Sequence, residues 1–261
     1  MIEYLRELSR YRELLFIIVW RDIKVRYKQS VMGFLWAIFM PMLVISAGIL
    51  VKYTMAVVSG KPLVLSDIAT VSVKALPWSF IVGSLRFATN SLLGNSNLVT
   101  KVYFPKEIFP IAAVLSNLFD SLIAACALGI TLIIAQIGWS IYLLWVPALV
   151  LILISLLIGF GMLLSAFSLF FRDVKYIVDV LLTFAIFFTP VFYEAKMLGK
   201  WSNVILLNPV APILEAINAC VVNHHAPDFG WLVYSAAVSF FILVVSYPIF
   251  KKLEPRFAES I

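Results

Sequence analysis

Between Asp120 and Arg172 the chain carries no charged residue, and residues 145–171 are its most apolar stretch. Hydrocarbon offers no water to satisfy peptide groups. A segment that crosses it must close its hydrogen bonds internally, as a helix of about 20 residues. Residues 31–58, 76–99, 108–136, 176–193 and 231–250 are further apolar runs, separated by short turns such as Arg172-Asp173-Val174-Lys175. The pattern predicts an all-α integral membrane protein with six transmembrane helices, the one over 145–171 facing lipid. Composition agrees. With 63% hydrophobic residues, 13% charged residues and a mean hydropathy of +1.03, a soluble domain of 261 residues would have too few surface charges to stay dispersed.

The remaining segments are read from their breakers and charges. Residues 61–75, with Asp67 and Lys74, are expected as a polar loop after the turn signal Ser59-Gly60-Lys61-Pro62. Residues 194–230 contain Asn208-Pro209-Val210-Ala211-Pro212 within otherwise apolar sequence. They are expected as re-entrant outer half-helices between spans five and six, because broken backbone at membrane depth survives only against protein or a wet cavity. With both termini cytoplasmic, 14 of the 20 basic residues fall on the inner side. A seventh span would put Lys251 and Lys252 outside, against the positive-inside bias. The chain is thus one transmembrane domain over 1–261. It comprises a cytoplasmic interface helix and basic loop over 1–30, spans over 31–250 and a cytoplasmic tail over 251–261, in a plasma or inner membrane. Residues 1–13 are expected as a surface helix with Tyr4, Leu5, Leu8 and Tyr11 inward, and not as a cleavable signal peptide.

One segment is densely basic and runs without a polar linker into the first apolar run: Trp20-Arg21-Asp22-Ile23-Lys24-Val25-Arg26-Tyr27-Lys28. As a helix it puts Trp20, Ile23, Tyr27, Val31 and Phe34 on one face and Arg21, Lys24 and Lys28 on another, with Asp22 and Arg26 as an i,i+4 pair. Such a segment lies in the headgroup layer and fixes orientation. Its net charge, part of a total of +6, points to anionic lipid or substrate phosphate.

Signs of catalysis are missing. There is no G-x-x-x-x-G-K-[ST] phosphate loop and no Ser/His/Asp arrangement, so no enzyme and no bound cofactor are expected. His224 and His225 are adjacent and point apart on a helix, so no metal site is expected, and Cys126 and Cys220 are read as packing residues. Two charges fall within apolar runs, Arg86 and Asp120. An unpaired arginine at the bilayer centre costs about 2.5–3.5 kcal/mol on insertion scales, so an Arg86–Asp120 ion pair is expected, structural or in contact with substrate. Asp179 is expected to be satisfied by Arg172 or Lys175. Trp36, Phe39, Tyr53, Phe80 and Phe87 either pack against lipid or line a channel in which sugar rings slide on aromatic faces.

The residues from Arg21 to Trp36, followed by Pro41, resemble the start of the membrane subunit of ABC exporters for polysaccharides and polyol phosphates, the type-2 permease family that moves O-antigen, capsule and teichoic acid. The resemblance continues through Asn97-Leu98-Val99-Thr100-Lys101-Val102-Tyr103-Phe104-Pro105-Lys106-Glu107, Phe170-Phe171-Arg172-Asp173, Thr189-Pro190-Val191-Phe192-Tyr193 and Leu207-Asn208-Pro209, in order over nearly the whole chain. Met32 stands where the family usually has leucine.

The resemblance implies a half-transporter that works as a homodimer with two copies of a separate ABC ATPase, which carries the ATP and magnesium. It implies that Arg21, Lys24, Arg26, Tyr27, Lys28 and Gly33 form the entrance for a polyprenyl-linked glycan, whose pyrophosphate suits guanidinium and ammonium donors. It further implies that Lys101, Val102, Tyr103, Phe104, Pro105, Lys106 and Glu107 couple the chain to the ATPase, and that the aromatic residues of the first two spans line the channel. A same-fold exporter of drugs or small lipids is the alternative. A secondary transporter would want an internal repeat, and a polyprenyl-phosphate enzyme would want a catalytic constellation; neither is found.

Overall fold

A computed structural model describes residues 10–28, 33, 35–60 and 62–259. The surface helix expected over 1–13 falls mostly outside these residues, as do Val31, Phe34 and Lys61. The described residues fold into α1 (Arg12–Lys28), α2 (Leu35–Ser59), α3 (Leu65–Asn90), α4 (Ser96–Lys101), α5 (Ile108–Ile134), α6 (Val146–Phe170), α7 (Val174–Ala185), α8 (Ser202–Leu206), α9 (Val210–Val221) and α10 (Phe229–Leu253). Short 3-10 turns cover Leu93–Asn95, Ile141–Trp145, Ala195–Trp201 and Glu254–Glu259. Among the described residues, five helical segments are long and apolar enough to cross a membrane: Leu35–Ser59, Leu65–Asn90, Ile108–Ile134, Ile141–Phe170 and Phe229–Phe257.

The segment expected as the fifth span is shorter than a span. Helix α7 has 12 residues, about 18 Å at 1.5 Å per residue, and gives way to turns before Thr189-Pro190. Pro190 prevents the helix from resuming beyond these turns, since it lacks an N–H and pushes Thr189 away from helical backbone. Residues 194–230 hold the short helices α8 and α9, and α9 buries Ile213, Leu214, Ile217 and Cys220.

Residues 65–75, expected as part of a loop, are helical. Helix α3 begins at Leu65, and its first turn carries Asp67, whose Oδ2 accepts from the Val64 amide at 3.3 Å. A carboxylate there satisfies an orphan N–H and complements the helix dipole. Lys52 of α2 pairs with the same carboxylate at 3.2 Å. Helix α10 is capped from the opposite side of its first turn: Asp228, at the N-cap, accepts through Oδ1 from the Gly230 and Trp231 amides at 3.0 and 3.4 Å.

Helix α6 does not simply face lipid. It buries Leu149, Leu153, Leu156, Leu157, Met162 and Ala166 against α3, α5, α9 and α10. Gly159 permits that closeness, since a Cβ there would come within 3.0 Å of the Leu243 backbone nitrogen of α10. Two apolar cores result. One gathers Trp78, Phe80, Leu153, Leu182, Ile213 and Leu232, and the other gathers Ile18, Val99, Phe109, Met162, Phe250 and Phe257. The second lies at the end of the bundle where α1, the 90–107 connection and the C-terminal segment converge.

Candidate functional site

Helix α1 runs beside α5. Ile18 and Ile23 are buried, and the stacked rings of Phe16 and Trp20 stay exposed. Arg21 is spent on its neighbour Asp22 at 2.7 Å, which replaces the expected Asp22–Arg26 pair. The ammonium of Lys24 sits 5.3 Å from the Trp20 ring, and Lys28 is exposed. Gly33 has a φ of +51°, a left-handed conformation that glycine adopts without steric cost, and its carbonyl accepts from the Trp36 amide at 3.3 Å.

Arg26 and Tyr27 point the other way, into a cavity of about 590 Å³ bounded by α1, α2, α3, α5 and α7. Arg26 is ion-paired with Asp120 and lies within 3.4 Å of Asn117 Oδ1 and Ser116 Oγ. Its guanidinium carbon sits 4.1 Å from the centre of the Phe87 ring, a cation–π distance. The Tyr27 hydroxyl donates to the second oxygen of Asp120. Burial, reinforced by that carboxylate, pushes the Tyr27 phenol above its ordinary range, so it remains a donor.

The expected Arg86–Asp120 pair is therefore not formed. Asp120 is taken by Arg26 and Tyr27, and Arg86 Nε meets Asp179 Oδ1 at 2.7 Å. The cause is the early start of α3, which places Arg86 one turn from the end of its helix and level with the first turns of α7. Asp179 is thus satisfied by Arg86 and not by Arg172 or Lys175.

Of the five aromatic candidates, Trp36, Phe80 and Phe87 line the cavity with Arg26, Tyr27 and Arg86. Phe39 stands edge-on to Trp36 at 5.5 Å, outside the cavity wall, and Tyr53 is exposed on α2. Sequence reasoning missed Ser116 and Asn117. The signal for them was available: with Asp120 and Ser121 they make a polar stripe at helical spacing in an apolar run. Gly83 of α3 faces that stripe, where a Cβ would stand 2.8 Å from Asn117 Oδ1.

The stretch from Lys101 to Glu107 divides in two. Lys101, Val102 and Tyr103 are exposed, Tyr103 fully, whereas Phe104, Pro105, Lys106 and Glu107 are buried. Phe104 meets Phe109 edge-on at 5.5 Å, and Lys106 lies 4.3 Å from the Phe104 ring. Glu107, 1% exposed, pairs with Lys251 at 3.0 Å. Burial pushes its carboxyl above the usual range, and the Lys251 ammonium opposes that shift.

A family model described as ABC-2 type transporter matches residues 13–221. The chain is 31% identical over 265 residues to the "O-antigen export system permease protein RfbA" of Myxococcus xanthus, covering all of both chains. Two Klebsiella pneumoniae proteins of the same name are 25% identical over 259 residues and 26% identical over 262, each alignment covering 95% of this chain and 94% of the relative.

Proposed function

This chain belongs to the ABC-2 type transporter family, and on that premise we propose that it is the transmembrane subunit of an ATP-driven exporter of lipid-linked, O-antigen-like polysaccharide. The observation that carries the reading is the match along their whole lengths to a protein named as an O-antigen export permease. The cavity at the end of α1 suits it chemically. The half-exposed rings of Trp36 and Phe87 offer apolar surface to sugar rings, with Arg26 already over Phe87, and Arg26 and Arg86 supply guanidinium groups to phosphate. In the described state Arg26 is neutralised by Asp120, so a phosphate entering the cavity exchanges one charge-assisted contact for another.

Two copies of the chain form the channel with two ATPase subunits, which bind and hydrolyse ATP. The exposed tip at Val102 and Tyr103 meets the ATPase. Both termini are cytoplasmic in the inner membrane, with six crossings, the fifth completed by α7 and the turns that follow it. Arg21, Lys24 and Lys28 face the substrate's approach along the outer face of α1, and the segment around α8 and α9 closes the far side.

Removal of the gene tests this directly. Surface polysaccharide is expected to vanish while lipid-linked glycan accumulates in the cytoplasmic leaflet, with both restored by the chain and its ATPase together. Normal surface polymer in the deletion strain, with only drugs or small lipids retained in cells, would establish the alternative cargo.

A further inference from the structure

Glu107 ends the coupling stretch, and its carboxylate has almost no contact with solvent. Its Oε1 binds Lys251 Nζ in the last turn of α10, while its Oε2 has no hydrogen-bond partner among the described residues. Glu254, one turn further, closes the arrangement. Its Oε2 lies 3.2 Å from Lys251 Nζ, and its Oε1 accepts from the backbone amide of Lys106 at 3.1 Å. Directly below, Phe257 is buried against Phe250 and Phe170, at ring distances of 5.2 and 5.9 Å. The connection between α4 and α5 is thus fastened, through a side chain and through its own backbone, to the end of a helix more than 140 residues away in sequence.

We propose that Glu107, Lys251 and Glu254 form a brace that carries displacement of the Val102–Tyr103 tip into α10, making them positioning residues for transport. The proposal rests on the reading that this tip docks on the ATPase. The physical ground is the contrast within one short stretch. Tyr103 is fully exposed and free to be pushed. The four residues after it are buried and cannot shift without either dragging Lys251 and Glu254 along or leaving Glu107 buried and unpaired, which is strongly unfavourable. Covalent connection alone moves α4 and α5. The brace adds α10, and through the close approach of Gly159 to Leu243 it adds α6. A hydrophobic plug would have held the stretch in place as well. A charge cluster that fixes both a side chain and a backbone amide also fixes direction, as a lever requires.

The experiment uses the full chain assembled with its ATPase in liposomes, and reads polymer moved and ATP hydrolysed in the same preparation. Glu107→Gln and Lys251→Met are each expected to lower polymer moved per ATP at least tenfold. ATP hydrolysis should stay within twofold, and the complex should be recovered in normal amount. The double variant should be no worse than either single one, and Lys251→Arg should stay within twofold of the native ratio. Should Glu107→Gln not accumulate, Glu254→Gln at its partly exposed position gives the same readout. An unchanged ratio in these variants overturns the brace, as does a fall of transport and hydrolysis together in proportion to recovered complex. Tyr103→Cys cross-linking to the ATPase separates the two levels. Without a cross-link the docking reading fails; with one and an unchanged ratio, only the brace fails.

Discussion

Arg26 of α1 and Asp120 of α5, 94 residues apart, form an ion pair in which the same carboxylate also accepts from Tyr27. The basic segment is therefore more than an orientation signal, because its last turn is pinned to the side of a membrane helix. Breaking a pair of this kind leaves a buried charge, so Arg26→Ala or Asp120→Ala is expected to cost about 3–5 kcal/mol. Arg26→Gln with Asp120→Asn should recover much of that loss. Chemical unfolding in detergent measures the cycle, and strictly additive losses would refute the coupling.

Arg86 and Asp179 should behave differently, because their side chains are 47% and 52% exposed. A pair this open is worth about 0–1 kcal/mol. Asp179→Asn should therefore leave unfolding almost unchanged, and exchanging the two charges should be tolerated. Exchanging Arg86 with Asp120 should damage the protein, since it strands Arg26 beside a second arginine. Equal tolerance of both exchanges would contradict the pairing.

The apolar runs are legible because lipid exposure demands them, and four of the six expected spans fall on the long helices nearly as drawn. What misleads is the polar side chain buried in protein. Lys74 lowers the local hydropathy and makes residues 61–75 look like a loop, although it has no exposed surface and lies two turns inside α3. That displaced helix start also misplaces Arg86 at mid-membrane and yields the wrong partner for Asp120. The fifth span fails for a related reason. Apolar composition continues to Tyr193, but the helix gives way to turns after Ala185 and Pro190 keeps it from resuming. At the site, Arg26, Tyr27, Trp36 and Phe87 can be named from sequence. Their partners Ser116 and Asn117 cannot be weighed until α1 is seen against α5.

Glu107 supplies a pH signature. Burial raises its carboxyl above the ordinary value, with Lys251 pulling it back. A carboxyl whose folded value is raised contributes stability that is complete below its unfolded value and is lost as pH rises through the folded one. Glu107→Gln has nothing to ionise and lacks that decline. Melting temperature measured upward from about pH 4.3, the ordinary glutamate value, should therefore fall more steeply for the native chain than for the variant. Parallel curves would show that the site does not perturb Glu107.

Lys74 and Glu215 make the last case. Lys74 Nζ donates to Glu215 Oε1 at 2.9 Å and to the Tyr193 carbonyl at 3.1 Å, and the same carboxylate oxygen accepts from the Ala195 amide at 2.9 Å. The pair thus stitches α3 and α9 to the irregular backbone between Thr189 and Ala195, ahead of the 3-10 turn, where a free peptide group buried away from water is costly. Lys74→Ala is expected to cost about 3–5 kcal/mol by leaving Glu215 without its counter-ion. Lys74→Met with Glu215→Gln removes both charges yet keeps an acceptor for the Ala195 amide, so it should recover most of the loss. The stitching makes a local prediction as well. Trypsin cleavage after the exposed Lys196 and Lys200 should accelerate in Lys74→Ala more than cleavage after Lys101, because only the first two sites sit on the released segment. Uniform acceleration at all three would mean that the pair supports the fold at large and has no special hold on residues 190–201.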